Sequence, residues 1–188
     1  MYQQPQRQLM PEQFTAMEPD KVLRTMQIIA GALIAGVLSF AGVASFFAFG
    51  QQVPVQPGGG GRGIPQNAHD VVMYIAMGFA AVAVVMSFVL SNFVATSGVK
   101  GVAKMAQDGT STGPKELFGR LLVVAQTKMI LAMAPIEGAA FFNLIAYIIT
   151  KSLIPPAVVA GLLMVMAVHF PSKLKLARWL EDQQRLLS

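Results

Sequence analysis

Four long apolar runs, at about 26–49, 71–95, 121–149 and 155–170, are separated by polar or glycine- and proline-rich stretches. A helix rises 1.5 Å per residue and needs about 20 residues to cross the hydrocarbon core of a bilayer. The runs are continuous rather than alternating, which predicts helices and not barrel strands. The third is long enough to tilt or to begin outside the membrane. The fourth is short and opens on Pro155 and Pro156, residues suited to a first helical turn. The pattern predicts an all-α integral membrane protein of four transmembrane helices, arranged as two hairpins over residues 26–170. A polar tail, 1–25, precedes them. Because the first apolar run starts only near Met26, it reads as a retained helix and not as a cleaved signal.

Residues 171–188, "PSKLKLARWLEDQQRLLS", carry a different pattern. Ser172 can cap a helix whose one face collects Leu176, Trp179, Leu180 and Leu187. Trp179 with Lys173, Lys175 and Arg178 suits the cytoplasmic headgroup layer, so this helix is expected to lie along the membrane. Binding of a protein partner is the alternative for it. The stretch between the first two spans, "GQQVPVQPGGGGRGIPQNAHD", reads as a flexible connector. Its glycines are no phosphate loop, since no strand precedes them and no Gly-Lys-Ser/Thr follows.

Composition agrees with the pattern. Of 188 residues 54% are hydrophobic and 12% charged, about half the charge of a soluble domain. Mean hydropathy is +0.57. The absence of cysteine excludes disulfides, thiolate metal sites and cysteine nucleophiles. The net charge of +5 is read as serving topology and anionic lipid headgroups, with no nucleic-acid partner. Eleven Lys and Arg lie in the N-terminal tail, the loop after span two and the C-terminal tail, whereas the other two connections hold only Arg62 and Lys151. The positive-inside rule then puts both termini and the middle loop in the cytoplasm, in a multi-pass protein of the cell membrane. Lys128, within span three, is expected to snorkel toward the cytoplasm.

Spans one and three also resemble one another. Laid over 126–142, residues 24–40 agree at seven of seventeen positions, among them Gly36 with Gly138 and Phe40 with Phe142. Such self-similarity suggests two hairpins from a duplicated ancestor. In this alignment Ala35 occupies the first-copy position of Glu137.

Glu137 is the main chemical candidate. It stands in "LAMAPIEGAAFFNLIAYII", residues 131–149. An acid at bilayer depth costs a few kcal/mol on insertion scales, and loss of water favours its neutral form. A group of this kind can take up and release an ion. Around it, Gly138, Ala139 and Ala140 allow close helix approach, Pro135 frees a backbone carbonyl near Leu131, and Met133, Phe141 and Leu144 share roughly its face. The other reading of Glu137 is a buried polar pin, hydrogen-bonded to a neighbouring helix through a residue such as Ser39, Ser87 or Asn92.

The same stretch resembles the carboxylate helix of the rotary-ATPase proteolipids, the c subunit of F-type ATP synthases and its V-type relatives. Glu137, Ala139, Ala140, Phe142 and 144–146 stand where those helices carry an acid, small residues, an aromatic and an aliphatic run. The likeness covers span three alone. In the proteolipids the glycine-rich partner helix directly precedes the basic loop. Here the richer glycine series, Gly31, Gly36 and Gly42, is in span one. The resemblance implies an ion-handling subunit for protons or sodium, acting through Glu137 in a homo-oligomer or membrane complex. The alternative is a structural or accessory membrane protein whose cytoplasmic loop and tail bind partners. No Ser-His-Asp set, metal box or nucleotide loop is present, so neither an enzyme nor a cofactor is expected. His69 and His169 are expected near opposite membrane faces, and Asp108, Glu116, Glu181 and Asp182 to be solvated.

Overall fold

The computed structural model describes residues 16–50, 66–110 and 113–187. The glycine-rich connector falls largely in 51–65 and most of the N-terminal tail in 1–15, outside those residues. Five helices make up nearly all of the rest: α1 (Pro19–Gly50), α2 (Gln66–Gln107), α3 (Pro114–Thr150), α4 (Ile154–His169) and α5 (Lys173–Leu187). Among the described residues there is no strand. Helices α1, α2 and α3 are each long and apolar enough to cross a membrane, and α4 with α5 brings the number to four if that pair is one broken span.

The helices differ from the predicted spans chiefly in length. α2 continues to Gln107 and α3 begins at Pro114, so most of the segment read as a long cytoplasmic loop is helical, including Lys100, Lys104, Lys115 and Arg120. Charge alone does not end a helix; α2 stops where the backbone turns left-handed. Gly109 has φ of +62°, and the N–H of Thr110 reaches back to the carbonyl of Met105 at 3.2 Å, a Schellman closure. α3 then starts on Pro114, whose missing N–H is no loss in a first turn. α1 likewise begins at Pro19, before the predicted span. At 1.5 Å per residue, the 32, 42 and 37 residues of α1, α2 and α3 exceed the roughly 30 Å of a hydrocarbon core.

The chain forms two compact units. One comprises 29–90 and 130–170. In this unit, small buried residues carry the packing: Ala30, Val37 and Ala44 on α1, Ala76, Ala80, Ala83 and Ser87 on α2, Ala139, Ala140 and Ala146 on α3. Its outer surface is apolar, with Leu38, Phe46, Tyr74, Phe79, Val82, Val85 and Met164 exposed. Small residues inside and large apolar ones outside is the distribution expected where lipid is the solvent.

The second unit comprises 1–28, 91–129 and 171–188 and holds most of the charge. It has its own apolar core of Leu23, Val102, Leu121, Leu122, Ala125, Leu176 and Leu180, against which Met17, Val99, Phe118 and Trp179 pack. α5 is capped as its sequence suggests: Ser172 Oγ accepts the N–H of Lys175 at 3.3 Å. Of its apolar face, expected at the headgroup layer, Leu176 and Leu180 are instead buried by protein and Trp179 is half-buried. A narrow apolar stripe is satisfied as well by a protein groove as by lipid, and the long α1, α2 and α3 supply that groove.

Candidate functional site

Glu137 sits in the middle of α3, partly buried in the apolar unit. Its carboxylate lies against α1 at Gly36, where a Cβ would stand 3.6 Å from Glu137 Oε1 and 3.8 Å from Phe141 Cζ. Phe141, one turn along α3, meets Phe40 edge-on with ring centroids 5.3 Å apart. Beside them Met133 and Leu144 are fully enclosed. Among the described residues, no hydrogen bond or ion pair reaches the Glu137 carboxylate. Ser87, one of the partners weighed for it, is buried with its own hydroxyl unpaired.

The small residues around Glu137 are used unequally. Ala139 and Ala140 are completely buried. Gly138 is exposed, and a Cβ there would meet nothing within 4 Å, so within this chain it eases no helix contact. Pro135 is partly buried inside an α3 that continues through it. Phe142 packs on Phe79 of α2.

The polar pin of this unit is Asn143, which sequence reasoning passed over. Its side chain is buried, and its Nδ2 donates to the carbonyls of Ala76 on α2 at 3.1 Å and of Ala139 at 2.9 Å. Asn143 Oδ1 is left without a partner. The signal was legible as an amide in an otherwise apolar run. Six residues from Glu137, it lies well round the helix from the acid, toward α2 and not α1.

In the charged unit the structure overturns the solvated reading of Glu116. Its side chain is only 2% exposed, and Oε1 accepts from Arg120 Nη2 at 2.6 Å and Nε at 2.9 Å. The pair is one helical turn apart at the start of α3, where the helix dipole also favours an acid. The i, i+4 spacing was visible in the sequence. A basic, polar segment hides it, because the spacing has meaning only once the segment is helical.

The residues expected at a lipid interface are partly engaged with protein. Lys173 pairs with Asp20 at 3.0 Å, both well exposed. Trp179 is half-buried, and Lys128 Nζ lies 5.9 Å from its ring centre, within cation–π range. Lys175 and Arg178 are exposed. Among the described residues, no three His, Cys, Asp or Glu side chains are grouped to hold a metal. His169 hydrogen-bonds through Nδ1 to the carbonyl of Val165 at 2.8 Å and packs on Phe88. No family model matches the chain, and neither the curated proteins nor the solved structures contain a match.

Proposed function

We propose that this is a multi-pass protein of the cell membrane in which Glu137 exchanges an ion, as a subunit of a homo-oligomer or a larger membrane complex. The observation that carries the reading is the setting of the acid. A structural pin needs a partner, and an unpaired polar group in an apolar site is costly. Asn143 has such partners; Glu137, against bare Gly36, has none among the described residues. An acid kept at that cost, with no packing task to explain it, fits reversible ion uptake. The resemblance of 131–149 to the proteolipid carboxylate helix points the same way. The exposed Ala134 and Gly138 beside the site give a smooth surface for the helix of a neighbouring subunit.

In this reading the stretches 29–50, 66–90 and 130–150 lie in the bilayer, both termini are cytoplasmic, and Lys175 and Arg178 meet anionic headgroups. The protein is not an enzyme and needs no cofactor.

The test is Glu137→Gln, which keeps size and polarity but removes titration. In reconstituted vesicles it should abolish ion flux while leaving expression and thermal stability near those of the parent. It should also abolish modification by a hydrophobic carbodiimide, which in the parent should fall on Glu137 ahead of Glu181. Flux unaltered by the substitution, or no flux in the parent, would move the protein to the structural or accessory class.

A further inference from the structure

We propose that the groove between the start of α1 and α5 is the seat of this chain's own N-terminal segment, with Leu9, Met10 and Phe14 as the side chains that enter it. The groove lies in the charged unit, and its use is independent of the role of Glu137.

The groove has a volume of about 330 Å³, at the lower end of what ligand clefts offer. Phe118 of α3 lines it together with Leu23, Leu176 and Leu180, all three buried. Its charged members, Asp20, Lys173 and Glu181, are exposed. Two contacts fix how α1 and α5 pass each other. Gln27 Nε2 donates to the carbonyl of Pro171 at 3.3 Å, and Asp20 pairs with Lys173 at 3.0 Å. Descending numbers on α1 thus meet ascending numbers on α5. α1 ends at Pro19, one residue past Asp20, whereas α5 runs on to Leu187. The chain that enters α1 arrives at this open end. Met17, two residues before the helix, is already seated there, packed on the cluster that contains Leu176 and Leu180.

Reach and chemistry select residues 1–15 as the occupant. The stretch of α5 from Lys173 to Glu181 is about 12 Å long. An extended chain covers up to about 3.5 Å per residue, so Phe14, five residues before Pro19, and Met10, nine before it, both reach that stretch. Leu9, Met10 and Phe14 are large apolar side chains in a polar, glutamine-rich segment, and the groove offers them burial. Arg7 supplies a cation to Glu181, whose carboxylate has no ion-pair partner among the described residues. Anionic lipid is the poorer occupant. Asp20 and Glu181 repel its headgroups at this edge, and Lys175 and Arg178 lie outside the groove.

The experiment uses the full chain, which has no cysteine of its own. Gln13→Cys is combined with Ala177→Cys, at an exposed position lining the groove, and treated with a short bismaleimide in dilute detergent solution. An intramolecular link, identified by peptide mass, should form severalfold faster than when Gln13→Cys is combined with Lys175→Cys, on the opposite face of α5. In a second measurement Ala177→Cys alone is labelled by a soluble maleimide. Adding Leu9→Ser, Met10→Ser and Phe14→Ser should raise that labelling rate severalfold, and these changes leave every described residue of the core intact. Links that join two chains and disappear on dilution would assign the groove to a second copy and overturn the proposal. A link rate equal to the Lys175 control, or labelling of position 177 unchanged by the serines, would overturn it as well. So would protection of position 177 by anionic vesicles to the same extent with and without the serines, which would assign the groove to lipid.

Discussion

Glu116 and Arg120 show what a single pair of residues contributes once helices surround it. Breaking a buried ion pair by removing one partner weakens the compensation of the other charge and costs up to about 3–5 kcal/mol. Arg120 is one-quarter exposed, so solvent reduces that penalty. Arg120→Met is expected to destabilise the protein by about 2–3 kcal/mol, measured by denaturation in detergent micelles. Adding Glu116→Met should recover part of the loss, because no buried carboxylate is then left to compensate. A double variant no better than the single one would show that the charges contribute net stability. Neither residue stood out in the sequence, because an acid next to Lys115 at the head of a basic segment reads as solvated until the helix beneath it is known.

At the scale of elements, α2 and α3 approach closely at Gly98 in the charged unit. A Cβ there would fall 2.7 and 2.9 Å from the two methyl groups of Val124. Valine is stiff about χ1 and cannot move those methyls cheaply. Gly98→Ala would gain about 1 kcal/mol of helix propensity but incur about 1–3 kcal/mol of overpacking, so net destabilisation is expected. At Gly101, one turn on, a Cβ meets nothing, and Gly101→Ala should stabilise by up to about 1 kcal/mol. Thermal melts of the two variants should therefore shift in opposite directions.

α5 offers a second test of what holds an element in place. Leu180→Ala removes a buried side chain and should cost about 2–4 kcal/mol, whereas Leu174→Ala, at an exposed position, should change stability by less than about 0.5 kcal/mol. Equal effects of the two, or retention of α5 by lipid alone in Leu180→Ala, would show that the membrane anchors the helix. The amphipathic pattern identified α5 and its apolar residues. What covered that face was not in the pattern, since lipid and a groove of leucines satisfy it equally.

For the whole molecule, the testable statement is its passage through the bilayer. The apolar unit takes from each of α1, α2 and α3 a stretch of 22, 25 and 21 residues, close to the 20 that span a hydrocarbon core. The proposed topology, with both termini cytoplasmic and a fourth crossing after Leu153, expects the turn at Asp108 to face the cytoplasm and the connection at Leu153 to face out. The chain has no cysteine, so Asp108→Cys and Leu153→Cys each provide one labelling site, both at exposed positions. An impermeant thiol reagent applied to intact cells should label position 153 and spare 108. Labelling of both or neither from outside would reject this topology.

The sequence by itself determined that the chain is helical and apolar enough for a membrane, because runs of 20 or more apolar residues leave the backbone no other way to satisfy its hydrogen bonds in lipid. It also marked Glu137, since one carboxylate in such a run is conspicuous without any structure. Helix length was beyond it. α2 and α3 continue past their apolar windows because Val99, Val102, Leu121 and Leu122 bury one another, a gain that exists only once the two helices meet. The partners of the acid were equally out of reach. Glycines in span one and an asparagine in span three carry no label saying which helix they will face. Only the tertiary packing put Gly36 against Glu137 and gave Asn143, rather than the acid, the task of joining α3 to α2.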